Sequence, residues 1–308
     1  MWPVYLVTMH LAAAFVVFTL YVGRFPLPPP VIESMNAISW IRQVLLVQLW
    51  FQPYFDGSSW NGPAWSISAE WLAYLLFGGL ILIIFRIAKA TRARGLIWLA
   101  VAAALCPTLL LLTHGVFYTP WSWLPRILLQ FTAGAIACAA VRRLDPSDRA
   151  RMLAGVGSIL LVAAIIGTLY WLDGHPIPGV IDSGGVVDLL FVPLVVMLAI
   201  GAGTLPRLLS VRVLVYGGQI SFSLYMVHEL VHTAWNWAAQ QFELMLAGPA
   251  GPWWLTAIFA VTLACSALLY HVVEEPARHW MRRMVDIRGT VSRMQPADSD
   301  RTQSKLSA

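Results

Sequence analysis

The chain has 308 residues, of which 59% are hydrophobic and only 11% charged, with a formal net charge of +5 and a mean hydropathy of +0.71. Soluble domains carry roughly 25% charge, so this deficit, together with several apolar runs of about 20 residues, excludes an ordinary soluble domain and predicts a polytopic membrane protein. The positive charge is no nucleic-acid signature, because the basic residues sit in short loops between apolar runs, where they set topology.

Trp2 to Val22 is the first apolar run. It starts without a basic region and is too long for a cleavable signal. His10 lies inside it and is expected to be buried and hydrogen-bonded. The Pro-rich stretch from Gly23 to Pro30 cannot continue a helix. Ile38 to Phe51, with Arg42 in it, is too short and polar to span, and reads as an interfacial or re-entrant helix.

The next stretch is Asn61-Gly62-Pro63-Ala64-Trp65-Ser66-Ile67-Ser68-Ala69-Glu70-Trp71, opening a second span at 62–85. Pro63 suits a first helical turn, where its missing N–H costs nothing, and Asn61 or Ser59 is expected to cap it. Ser66 and Glu70, four apart, share a face, and Trp71 is placed to anchor at the interface. A carboxylate this near lipid should turn toward protein or a water-filled cavity. A plain helix cap with an interfacial carboxylate is the alternative.

Further spans are expected at 96–113, 123–141, 152–172, 185–203, 214–238 and 253–273, with a basic tail from 279 whose last dozen residues read as disordered. The fold class is therefore an all-α polytopic membrane helix bundle of about eight transmembrane helices plus the short 38–51 segment. Its domains divide as a membrane region, 1–278, and a tail, 279–308. Every second loop is basic: 86–95, 142–151, 204–213 and the tail. The positive-inside rule puts these in the cytoplasm and the Asn61–Glu70 mouth on the other side. Cys106, Cys138 and Cys265 lie in separate apolar runs without metal spacing and read as packing residues.

Three further sites carry chemistry. Arg126, one turn inside the fourth span, is costly there unless it meets a carboxylate, a carbonyl or an anionic ligand, or snorkels to the headgroups. Glu70, near the same membrane face, is a candidate partner. In Ile220-Ser221-Phe222-Ser223-Leu224-Tyr225-Met226-Val227-His228-Glu229-Leu230-Val231-His232, the residues Ser221, Tyr225 and His228 or Glu229 line one helical stripe. The same stretch spells His228-Glu229-x-x-His232, a zinc-protease pattern. A third ligand is not recognisable, and Leu172-Asp173-Gly174, which resembles the aspartate motif of intramembrane site-2-type metalloproteases, precedes the pair instead of following it. Finally, Val273-Glu274-Glu275-Pro276-Ala277-Arg278 closes the last span; Pro276 ends or kinks the helix, and the acids are placed to pair with basic loops.

Taken in order, the Asn61–Trp71 stretch, Arg126…Phe131…Gly134, Ile220–His228 and Glu274-Glu275-Pro276-Ala277-Arg278 resemble the acyltransferase-3 family, integral membrane O-acyltransferases that decorate surface polysaccharides, lipopolysaccharide and similar glycans. The resemblance covers nearly the whole chain. It implies transfer of an acyl group, acetyl from acetyl-CoA or another acyl-CoA, to a hydroxyl of a cell-surface glycan or glycolipid, with no bound cofactor or metal. It also implies a multi-pass protein of the bacterial inner membrane with a cytoplasmic C-terminus. In this reading Glu229 and His232 are incidental. His228 would be an acid/base or acceptor-positioning residue, and Glu70 would orient a histidine or accept sugar hydrogen bonds. Asn61, Ser66 and Tyr225 would bind acceptor hydroxyls, and Arg126 would face the donor's charge or pair with Glu70. Family members begin with a helix bearing an arginine followed, after ten intervening residues, by a histidine thought essential for acyl transfer, and Trp2-Pro3-Val4-Tyr5 resembles a stretch beyond it. By this resemblance the chain lacks about 80 residues, two spans' worth, and with them the family's principal histidine; adding two spans to eight gives the ten expected of the family. An inactive fragment of the same fold, a transporter of lipid-linked sugar and an intramembrane zinc protease are the other readings.

Overall fold

The computed structural model describes residues 1–22, 34–55, 57–116, 119–242 and 251–284, and among them every regular element is helical. The helices are α1 (Trp2–Val22), α2 (Ala37–Val44), α3 (Trp65–Ala90), α4 (Ala93–His114), α5 (Trp123–Val141), α6 (Asp148–Gly174), α7 (Asp188–Ile200), α8 (Thr204–Leu209), α9 (Arg212–Gln241), α10 (Gly251–Leu269) and α11 (Glu275–Met284). Short 3₁₀ turns at Gly62–Ala64 and Ser183–Val187 lead into α3 and α7, and a π turn at Tyr270–Glu274 joins α10 to α11. The Pro-rich break at 23–30 and the end of the tail lie outside the described residues. Residues 279–284 of the expected tail continue α11.

Among the described residues seven segments are long and apolar enough to cross a membrane, against eight expected. The eighth, α9, has 30 residues, about 45 Å at 1.5 Å per residue. Its polar stripe from Ser221 to His232 lowers its hydropathy. The 38–51 segment is helical only to Val44, with Asn36 capping it by accepting from the Ser39 N–H at 2.9 Å. Trp2 Nε1 donates to the Val44 carbonyl and Trp40 Nε1 to His10 Nε2, so α2 runs antiparallel along α1. His10 is thus exposed rather than buried, with Nδ1 on the Leu6 carbonyl.

Two helix groups result. Ile84, Ala88, Leu96, Ala100, Ile136, Ala137, Ala140 and Val196 pack α3, α4, α5 and α7 together. The alanines let these helices approach closely, as small residues do where lipid supplies no hydrophobic drive. Val4, Tyr5, Met9, Met226, Val227 and Leu269 join α1, α9 and α10, with Leu46, Ala64 and Ile67 reaching in from the segment before α3 and from its first turn. Leucines, phenylalanines and tryptophans elsewhere point outward toward lipid.

The basic loops share one end of the bundle. Arg143 donates to the Ala88 carbonyl and to that of Thr91, and the Ala202 N–H to the Arg151 carbonyl. At the opposite end Trp121 N–H donates to the Pro53 carbonyl, Trp123 Nε1 to that of Gln52, and Ile181 N–H to that of Gly115. Pro276 lacks the N–H that an α-helix would give to the carbonyl four residues back. The chain takes a π turn just before it, with the Glu275 N–H reaching the Tyr270 carbonyl. That turn brings Glu274 inside, where it accepts from Ser223 Oγ at 2.6 Å and from Arg278 at 2.6 Å. Glu274 therefore pairs within its own helix and with α9, not with the basic loops.

α6 meets the chain after α7 at Gly155, where an added Cβ would lie 1.7 Å from the Ala202 carbonyl oxygen. Gly155→Ala is expected to lower stability by about 1–3 kcal/mol through overpacking. Gly167→Ala on the same helix, where an added Cβ meets nothing within 4 Å, is expected to be neutral or slightly stabilising, helix propensity favouring alanine. Thermal unfolding of both variants in detergent checks the contrast.

Candidate functional site

Between α2 and α3 the backbone is irregular, and its polar groups find side-chain partners. Gln43 Oε1 accepts from the Trp60 N–H, and Gln48 Nε2 donates to the Ala64 carbonyl. Ser68 Oγ accepts from the Leu49 N–H and donates to the Leu46 carbonyl, and Trp50 Nε1 donates to the Ser68 carbonyl. Gln43, Gln48, Asn61 and Ser68 are all buried. In a dry interior such pairing is what permits non-helical backbone.

This cradle is pinned to α9 at two points. Asn61 Nδ2 donates to the Met226 carbonyl at 2.8 Å. The Tyr225 hydroxyl reaches the Pro63 carbonyl at 3.1 Å and Ser66 Oγ at 2.9 Å. Asn61 makes no side-chain cap to the turn it precedes, and Ser59 Oγ accepts from Gln48, so neither plays the capping role expected of it. Pro63 does sit in the first turn.

Beside this junction lies a cavity of about 300 Å³ lined by Phe55, Gly57, Ser59, Gly62, Pro63, Trp65, Tyr225, His228 and Glu229. His228 Nδ1 lies 2.7 Å from the Tyr225 carbonyl. A carbonyl only accepts, so Nδ1 carries the proton in the neutral ring and Nε2 keeps a lone pair. Such a nitrogen suits a general base.

Of the residues singled out from the sequence, Tyr225 and His228 therefore line the cavity. Asn61 and Ser66 stand behind its wall and hold it to α9. Glu70, one turn beyond Ser66, accepts from the Tyr74 hydroxyl at 3.3 Å and makes no hydrogen bond to His228. Arg126 lies elsewhere. Its guanidinium donates to Asp188 at 3.1 Å, and Gln130 donates to the same oxygen at 3.0 Å. Glu70 is thus not its partner: α7 brings a carboxylate directly opposite α5. Arg126 lines a second cavity of about 350 Å³ with His114, Thr119, Trp121 and Ser122. Glu229, set aside as incidental, faces the first cavity, whereas His232 turns to Asn236 at 3.2 Å. No group of three or more His, Cys, Asp or Glu able to hold a metal occurs among the described residues. Sequence reasoning missed Asp188, although an acid at the start of an apolar run was the available signal.

The all-helical membrane bundle thus holds an imidazole and a tyrosine on one cavity. Residues 3–271 match the family model of the acyltransferase domain, acyltransferase-3. The chain belongs to that family of membrane acyltransferases. No curated protein and no solved structure matches it.

Removing one member of the half-buried Arg126–Asp188 pair takes from the other its ion-pair partner, which destabilises the fold. Arg126→Met and Asp188→Leu are each expected to lower the unfolding midpoint, and the double variant to recover much of the loss. Thermal unfolding across the double-mutant cycle measures the coupling.

Proposed function

We propose that this protein is an O-acyltransferase that moves an acyl group, acetyl in the simplest case, from an acyl-CoA to a hydroxyl of a cell-surface glycan or glycolipid. The observation that carries the reading is His228, anchored through Nδ1 with its Nε2 lone pair left on the cavity. In the step it supports, Nε2 takes the proton of the acceptor hydroxyl while that oxygen attacks the thioester carbonyl. The tetrahedral intermediate collapses, the carbon–sulfur bond breaks, and the thiolate leaves with the proton from His228. Ser59, whose Oγ accepts from Gln48 and so keeps its own O–H to donate, holds the oxyanion, and the Tyr225 oxygen accepts from the acceptor hydroxyl. Glu70 and Ser66 tune and position Tyr225, Asn61 fixes the wall, and Arg126 serves the second cavity, where its charge faces an anionic portion of a substrate. The lipid bilayer is the protein's medium.

The alternation of basic and uncharged loops supports a multi-pass protein of a bacterial inner membrane, with the basic loops and the C-terminus in the cytoplasm. Cysteine labelling by a membrane-impermeant maleimide tests this in a background free of native cysteines. Ser58→Cys is expected to react in intact cells and Ser147→Cys only after permeabilisation.

Loss of a positioned general base costs roughly 10²- to 10⁴-fold in rate. His228→Ala is expected to lose transfer by at least that factor, and Glu70→Ala to lose it too, with both proteins still present in the membrane by immunoblot. Normal acylation of the surface glycan in both variants refutes the assignment.

A further inference from the structure

Among the described residues, Glu229 is the one carboxylate that lines the His228 cavity, and no Lys or Arg lines it. It has no ion-pair partner among the described residues. Its side chain runs over Gly62, where an added Cβ would lie 3.6 Å from Glu229 Cγ. The side chain thus passes beside the Gly62–Pro63 backbone, one residue on from His228. Phe55 and Trp65, with ring centroids 4.7 Å apart and planes at 35°, supply an apolar wall. Aromatic faces suit the C–H face of a sugar ring, and an ionised carboxylate accepts strong hydrogen bonds from hydroxyls or an ammonium group.

We propose that Glu229 sets the charge preference of the acceptor: the cavity takes a neutral or amine-bearing sugar and rejects one bearing a carboxylate. This rests on the acyl-transfer reading of the same cavity. An acidic sugar seated with its hydroxyl at His228 Nε2 would bring a second anion near Glu229, with no Lys or Arg among the described lining residues to offset it. Glu229 is exposed, so water and salt weaken the repulsion between like charges there without removing it. An ammonium in the same position would instead gain a charge-assisted hydrogen bond. Glu229 is then a specificity residue of the negative-selection kind, excluding by repulsion as much as it binds by attraction.

The full chain, purified in detergent, would be given acetyl-CoA with methyl glucoside, methyl glucosaminide or methyl glucuronide at slightly acidic pH, O-acetyl products being read by mass spectrometry. The wild type is expected to favour the glucosaminide over the glucuronide in kcat/KM. Glu229→Gln should shrink that preference roughly tenfold, mainly through KM, and Glu229→Lys should invert it. Because each preference is a ratio within one preparation, a reduced folded fraction cancels. An unchanged ratio in both variants, or a wild type that favours the glucuronide, overturns the proposal. Should the wild type acetylate none of the three, it is the acyl-transfer reading that fails. The charge preference is then read from binding of the same glycosides by ligand-observed NMR. There, a Glu229→Lys protein that binds the glucuronide no better than wild type overturns the inference.

Discussion

Irregular backbone in a membrane domain persists only where protein groups replace water, and residues 45–64 depend on that replacement. Three buried polar side chains of the segment and its borders, Gln43, Gln48 and Ser68, satisfy N–H and carbonyl groups that no helix can. Each such group left unpaired in a dry interior costs several kcal/mol. The cavity exists because this cradle keeps its shape beside α9, so the polar residues that look least catalytic set the geometry of those that do chemistry.

The two helix groups contribute differently. α3, α4, α5 and α7 form an alanine-rich core fastened by the Arg126–Asp188–Gln130 cluster. α1, α9 and α10 form a second core, fastened near the π turn by Ser223, Glu274 and Arg278. The cavity sits where they meet, as small-molecule sites commonly sit between packed units. Tyr225 comes from one group and Trp65 from the other, so the site is complete only when both are docked.

Much of this was legible in the sequence, because lipid imposes a length and a composition on anything that crosses it. The run at 123–141 is α5 residue for residue, and Trp2–Val22 is α1. Helical spacing paired Tyr225 with His228 and Ser66 with Glu70, but the contact of Ser66 Oγ with the Tyr225 hydroxyl joins two helices, and spacing does not give it. Partners far apart in sequence were not legible. Asn61 looks like a cap because caps are local, yet its amide meets a carbonyl 165 residues away. Glu70 looked like a match for Arg126 because both lie near one membrane face, but helical rotation decides which face a side chain presents, and α7 holds the nearer acid. Glu229 was hidden by its neighbour, since a histidine of motif type draws attention from the residue after it. The missed π turn has a plain cause in Pro276, whose effect can be read as a break or a kink without knowing which way Glu274 then turns.

The bond from Asn61 to Met226 also bears on how the protein is made. A ribosome adding about 5–20 residues per second needs roughly 10–30 s to pass from one to the other. During that interval the cradle has its own glutamines and Ser68 but not the helix that closes it. The cavity is therefore a late product of biogenesis, assembled when α9 leaves the translocon and slides against a segment already waiting there.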